Sequence, residues 1–207
     1  MSSFIDNLLE RFPRITTNIT EYQLKFVMEC LAITIKENVP GDIVELGCHE
    51  GTTSLFIRRV LDHYKSDKEF YVYDSFEGLP KKSEHDQGTT SLQRYEGELK
   101  TEQEVLTGNF EKAGLKLPVI TKGWFADIPD EKYPKKISFA FFDGDFYSSI
   151  IDSFAKTYDK LSPNAIVCVH DYNYVCLPGV RKACMDYLAD RPEAVFGCRG
   201  VGYMVKE

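Results

Sequence analysis

Short apolar runs alternate with helical stretches along most of this chain, and that alternation leaves few folds open. The runs read IVELG (43–47), FYVYD (70–74), PVITKG (118–123), ISFAFFD (137–143), AIVCVHD (165–171), EAVFG (193–197) and VGYMVK (201–206). Helical spacing falls between them at residues 51–65, 101–113, 148–161 and 178–190, and TEYQLKFVMECLAITIKE (20–37) precedes them with a broad apolar face. Strands apolar along their whole length and separated by helices predict a parallel sheet covered on both faces. Only CRG separates the last two runs, a link that permits an antiparallel hairpin but no helical crossover. The expected fold is α/β and doubly wound, a mostly parallel seven-stranded sheet with an antiparallel last strand. At 207 residues and 43% hydrophobic content, one domain over 1–207 is expected, with 1–38 as an N-terminal helical cap.

Open sheets of this kind collect ligands outside the carboxyl ends of their strands. Three strand ends carry an acid there: Asp74, Asp143 and Asp171. The most pointed is FAFFDGDFYSS (139–149), where four apolar residues run into Asp143 and Asp145 with one glycine between them. Asp and Gly are ordinary strand terminators, so a plain turn competes with a metal or proton-transfer site.

The first strand, turn and helix start, DIVELGCHEGTTS (42–54), has the form of a nucleoside-binding loop. Gly47 and Gly51 allow a tight backbone turn, and the helix start offers unpaired N–H groups. Asp74, at the tip of the second strand, is placed to accept hydrogen bonds from ribose hydroxyls, although a turn or cap before Ser75 is the bland alternative. These features imply an adenosine-type ligand without separating a nicotinamide cofactor from S-adenosylmethionine. Three details lean to the methyl donor: the spacing E-x-G-x-x-x-G departs from the dinucleotide fingerprint, Glu45 suits a cationic donor better than a pyrophosphate, and the antiparallel final strand is common in such methyltransferases.

Composition narrows the partners. A net charge of -7 argues against nucleic acid, since phosphate binding draws on clustered Lys and Arg. No apolar run approaches the ~18–20 residues of a membrane span, and MSSFIDNLLERFPR lacks the pattern of a signal peptide. Six cysteines without a CxxC pair read as buried thiols in a reducing compartment. A cytoplasmic, acidic protein is expected, with a homodimer through the N-terminal helix.

The stretches VPGDIVELG (39–47), YDSFEGLP (73–80), KGWFADIPD (122–130), FFDGDFYSS (141–149) and LSPNAIVCVHDY (161–172) resemble the macrocin-type sugar O-methyltransferases, a metal-dependent branch of the S-adenosylmethionine enzymes. The resemblance spans residues 39–172 in order. It implies the doubly wound fold, S-adenosylmethionine as donor, a sugar or glycan hydroxyl as acceptor and a divalent ion, usually Mg²⁺. Carried over by position, Asp143 and Asp171 look like metal ligands and Asp145 like the general base. The donor would meet Glu45, Gly47, Gly51, Thr52, Asp74, Ser75 and Asp143, with Trp124 or Phe125 near its adenine or else in the core. The family usually has Asp–Asp where this chain has His170–Asp171, so His170 is read as a third ligand favouring a softer ion such as Mn²⁺, as an acid–base residue, or as a core histidine. The family's aromatic–basic pair is replaced here by His49–Glu50, which alters contacts to the donor's amino-acid end.

The polar, aperiodic segment 80–100 reads as a lid over the acceptor, and its His85, Asp86 and Arg94 either touch sugar hydroxyls or are solvated. With a short N-terminal region and a modest lid the cleft is open, which suits a terminal deoxysugar on a larger glycan. Rival functions remain. A glycosyltransferase explains D-x-D through Mn²⁺ on a nucleotide diphosphate but leaves ELGCHEGTTS and Asp74 without a role. A catechol-type O-methyltransferase shares donor and metal with a planar aromatic acceptor. A ligand-binding relic is the non-enzyme alternative.

Overall fold

The computed structural model describes residues 3–88 and 93–207. Its order is α1 (Phe4–Arg11), α2 (Glu21–Lys36), β1 (Asp42–Leu46), α3 (Thr52–His63), β2 (Phe70–Asp74), α4 (Gln103–Ala113), β3 (Val119–Lys122), β4 (Ile137–Phe142), α5 (Tyr147–Thr157), β5 (Leu161–Val169), α6 (Pro178–Tyr187), β6 (Phe196–Cys198) and β7 (Val201–Val205). The strands form one sheet in the order β3-β2-β1-β4-β5-β7-β6. Ladders from β3 through β5 are parallel, and β7 runs antiparallel to both of its neighbours. The doubly wound sheet with an antiparallel last strand is therefore the observed fold.

Strand alternation divides the core in two. Ile43, Phe139, Phe141, Ile166 and Cys168 face α1–α4, joined by Leu24, Val27, Met28 and Leu31 of α2. Val44, Leu46, Ala140, Phe142, Val167 and Val169 face α5 and α6. β4 is buried at all six positions, as its sequence ISFAFF requires. Helix α2 starts where Thr20 and Gln23 form a reciprocal capping box, Thr20 Oγ1 accepting from the Gln23 N–H and Gln23 Oε1 from the Thr20 N–H. Of the six cysteines, Cys30, Cys48, Cys168, Cys176 and Cys184 are buried and Cys198 is half-buried. Among the described residues no helix is long and apolar enough to cross a membrane.

Two strand expectations need correction. β3 is an edge strand with half-exposed side chains, so full burial holds only for the central strands. The run EAVFG contributes a strand only from Phe196, and Glu193 turns inward instead. Its Oε2 accepts from the Tyr158 hydroxyl at 2.5 Å and its Oε1 from Lys206 Nζ at 2.5 Å, tying the end of β7 to the turn after α5. Burial alone would raise this carboxyl's pKa, but the Lys206 and Tyr158 hydrogen bonds outweigh it and hold it at about 2.

A depressed carboxyl pKa stabilises the fold above the unfolded-state value and loses that contribution as pH falls through the folded one. Glu193→Gln is expected to cost about 2–3 kcal/mol at neutral pH. The gap to wild type in urea unfolding should close between pH 4.5 and 2. A gap independent of pH would show that Glu193 acts by packing alone.

Candidate active site

The parallel register brings the ends of four strands into one row. Backbone bonds extend the ladders one residue past the strands: Gly47 N–H to the Tyr73 carbonyl, Asp143 N–H to Leu46 and His170 N–H to Phe142, each at 2.8 Å. Beyond this row the chain turns sharply, and His49, Phe76, Asp145 and Asp171 all take left-handed φ between 48° and 60°. Such backbone is sparsely populated by residues with a Cβ and concentrates where function over-determines a loop.

A cleft with about 1190 Å³ of space between atoms, part of it open to solvent, runs along this row. On one side lie Glu45, Gly47, Thr52, Asp74, Ser75, Trp124 and Phe125, and on the other Asp143, Asp145, His170 and Asp171. Of the residues expected to meet the donor or a metal, Gly51 alone lies outside the lining. A Cβ there would meet Leu106 Cδ1 at 2.3 Å, so Gly51 lets α3 begin tightly against α4. Trp124 and Phe125 are half-buried at the cleft wall, and Phe125 also packs against the core on the α5–α6 side.

Asp74 takes the turn role that was its alternative reading, and also holds the β1–α3 turn, which its position at a strand tip did not disclose. Its Oδ2 accepts from the backbone N–H groups of Cys48 and His49, both at 2.9 Å, and its Oδ1 from Phe76 N–H at 2.8 Å. An ionised carboxylate has about four lone-pair sites, so three are spent on holding the β1–α3 turn and the β2 turn together. Room for one further donor remains. Glu45 is almost fully buried and accepts from the Ser54 hydroxyl at 2.5 Å. Burial pushes its carboxyl well above the ordinary range; the Ser54 bond opposes this, and Asp143 and Asp74 add to it.

Asp145 is 8% exposed at the bottom of the acidic side. Burial raises its pKa strongly, Asp143 and Asp171 raise it further, and His170 and Arg94 pull it down. His170 is 4% exposed. Burial works against a charged ring there, yet the carboxylates of Asp143 and Asp171 prevail and raise its pKa well above the imidazole norm. Its Nδ1 lies 3.0 Å from Asp143 Oδ1 and 3.1 Å from Asp171 Oδ2. Neither oxygen is in line with the ring nitrogen, so Nδ1 makes no hydrogen bond, and Nε2 also lacks a partner. The three residues offer donor atoms all within 4.8 Å of one another. An orphaned buried nitrogen aimed between two carboxylates fits a divalent cation; a proton on the ring is the other way to balance that charge.

Six carboxyl groups line the cleft, those of Glu45, Asp74, Asp143, Asp145, Asp152 and Asp171, against the single guanidinium of Arg94. That balance attracts cations and disfavours a pyrophosphate without a bound cation.

The lid expectation is corrected in part. Asp86 is buried, and it accepts from Ser83 N–H at 2.8 Å, Ser83 Oγ at 2.6 Å and Tyr147 N–H at 2.7 Å, anchoring the segment to the start of α5. His85 packs its ring against Tyr147, 4.3 Å between centroids, and does not line the cleft. Arg94 does line it. Residues 89–92 of the expected lid lie outside the described residues.

Sequence reasoning missed Thr16, Asn18 and Ile19, which close the donor side of the cleft from the α1–α2 connection. Thr16 is held there by its N–H and hydroxyl to Thr52 Oγ1, at 3.1 and 2.8 Å. No local pattern marks a contact between residues 36 positions apart. Asp152 and Ser149, one turn into α5 and on its cleft-facing side, were findable from helical periodicity once Asp145 was fixed.

A family model described as Macrocin-O-methyltransferase (TylF) matches residues 10–193. Mycinamicin III 3''-O-methyltransferase of Micromonospora griseorubida is 29% identical over 187 residues, covering 86% of this chain and 72% of that protein. The 8-demethyl-8-(2,3-dimethoxy-alpha-L-rhamnosyl)-tetracenomycin-C 4'-O-methyltransferase of Streptomyces olivaceus is 31% identical over 164 residues, 76% of this chain and 62% of that protein. Among solved structures, the O-methyltransferase NovP superposes with a TM-score of 0.80 at 28% identity, over 91% of this chain and 81% of that one. The calicheamicin methyltransferase CalS11 shares the fold, with a TM-score of 0.72 at 18% identity over 97% and 89% of the two chains.

Proposed function

This chain belongs to the macrocin-O-methyltransferase family and is an S-adenosylmethionine-dependent O-methyltransferase; from that premise we propose that its acceptor is a sugar hydroxyl, on a deoxysugar of a glycan or glycoside, and that a divalent ion assists the transfer. The observation that carries this is the two-sided cleft, a glycine turn and Asp74 on one side and the Asp143–Asp145–His170–Asp171 cluster on the other. The Streptomyces olivaceus relative is named for 4'-O-methylation of a rhamnosyl-tetracenomycin, and the Micromonospora griseorubida relative for 3''-O-methylation of mycinamicin III.

A sugar hydroxyl is a poor nucleophile whose proton must leave as the methyl arrives. Asp145 is the group proposed to take that proton as the new C–O bond forms and the donor's C–S bond breaks, leaving a neutral thioether. Asp145 is nearly buried yet reaches the cleft lining, where a carboxyl can meet the acceptor's proton. Asp143, His170 and Asp171 are the residues that would hold the ion. What a bound divalent ion supplies is a lower pKa and a fixed position for the acceptor hydroxyl. The acidic lining of the cleft favours a sulfonium over an anionic ligand at the same place. Asp74 orders the turn and keeps one acceptor position for a ribose hydroxyl, and Trp124 and Phe125 offer apolar faces to the adenine.

Residues 80–88 and 93–100 belong to a lid on one methyltransferase domain, with Arg94 facing the acceptor, in a cytoplasmic homodimer packed through the N-terminal helices. Incubation with methyl-labelled S-adenosylmethionine and matched panels of rhamnosides, neutral hexosides and catechols tests the acceptor class. Label in glycosides supports the proposal; label confined to catechols returns the function to the aromatic class.

A further inference from the structure

We propose that the Asp143–His170–Asp171 cluster selects a nitrogen-accepting first-row divalent ion, such as Mn²⁺ or Co²⁺, over Mg²⁺, with His170 Nδ1 as the ligand that decides the choice. This deepens, and rests on, the reading of the cleft as a metal-assisted methyltransferase site. Three observations support it. His170 is 4% exposed with neither ring nitrogen hydrogen-bonded. Nδ1 is also the buried atom between the two carboxylate oxygens, 3.0 and 3.1 Å from them. Adjacent donors around a six-coordinate ion at roughly 2.1–2.2 Å stand about 3 Å apart, so these two edges already have the required length.

The backbone explains how consecutive residues serve one point. Side chains alternate faces along a strand, and His170 still follows the ladder through its N–H to the Phe142 carbonyl. Asp171 then turns into left-handed φ at +55°, which cancels the alternation and returns its carboxylate to Nδ1. With Nδ1 facing an ion, the ring proton would sit on Nε2; the Phe141 ring lies T-shaped to the imidazole at 6.2 Å between centroids. Imidazole nitrogen suits first-row transition ions, whereas Mg²⁺ demands oxygen donors and keeps its waters.

Calorimetric titration of the metal-stripped protein with Mg²⁺ and Mn²⁺, on wild type and His170→Asp, tests the selectivity. Transition ions outbind Mg²⁺ at many oxygen sites too, so the diagnostic is the change in the ratio of the two Kd values. That ratio should fall by about 10–100-fold in favour of Mg²⁺ in the variant. Pulsed electron paramagnetic resonance of Mn²⁺-loaded wild type should show coupling to one imidazole nitrogen, a readout that needs no variant to fold. An unchanged ratio, or Mn²⁺ bound without nitrogen coupling, would overturn the inference. If S-adenosylhomocysteine binds while neither ion does, the metal reading fails and takes the inference with it. Nitrogen-coupled Mn²⁺ in a protein that binds no S-adenosylhomocysteine would leave the inference standing and refute the donor site.

Discussion

Asp145→Asn is expected to lower kcat for methyl transfer by about 10²–10⁴-fold while leaving S-adenosylhomocysteine affinity within a factor of two or so of wild type, since general-base loss does not touch donor binding. The substitution is unusually clean here. Asp145 sits at φ +60°, and asparagine is among the few residues with a Cβ that tolerate the left-handed region. The side chain keeps its shape and loses only the ability to take a proton. Because the native carboxyl is buried beside Asp143 and Asp171, removing its charge should leave the thermal midpoint unchanged or raise it. Steady-state kinetics beside a calorimetric titration would separate the outcomes. Full activity in the variant would remove Asp145 as the base, and equal losses of activity and donor affinity would make it a structural residue.

Gly47→Ala should be the most damaging single methyl in the chain's donor half. At φ +91° a Cβ would stand 2.2 Å from the Asp143 carbonyl oxygen and 2.8 Å from its carbonyl carbon, so backbone meets backbone and no flexible side chain can yield. Left-handed strain contributes about 1–3 kcal/mol, and forcing β1 from β4 brings the expected total to roughly 3–5 kcal/mol. For a protein of this size that lowers the thermal midpoint by roughly 10 °C. Donor binding should fail as well, because Asp143 moves with its backbone. Gly114→Ala is the control: its φ is +64° but nothing lies within 4 Å of the added Cβ, so only about 1–2 kcal/mol of left-handed strain remains. Similar midpoints for the two variants would mean that β1 and β4 can part without cost.

The sequence made the central sheet legible because β1, β2, β4 and β5 are buried on both faces, and that burial leaves apolar runs with acids at their ends. The acids at 143, 145 and 171 were visible for the same reason: nothing apolar competes for the end of a buried strand. Edges read less well. β3 and β6 are short and half-exposed, so pairing with one neighbour, not composition, defines them. Glu193 looked like the start of a strand and instead forms a buried ion pair with Lys206, 13 residues away. Asp74 was visible as a strand-tip acid, but its hold on the backbone of residues 48 and 49 depends on how two parallel strands end side by side. Asp86 looked like a solvated lid residue because what anchors it, the Tyr147 N–H, lies 61 positions later. Thr16 and Asn18 were illegible for a related reason, since the chain returns to the cleft only after α1 has turned it. His170 lay between: its place at the end of β5 was readable, but that the next carboxylate turns back to its ring depends on the left-handed backbone of Asp171.

The most direct test of the two-sided cleft is calorimetric titration of metal-stripped wild-type protein with S-adenosylhomocysteine, alone and with Mg²⁺ or Mn²⁺. The account predicts one site with micromolar affinity under at least one of these conditions. No measurable binding under any of them would contradict the donor site built from Gly47, Asp74 and Trp124.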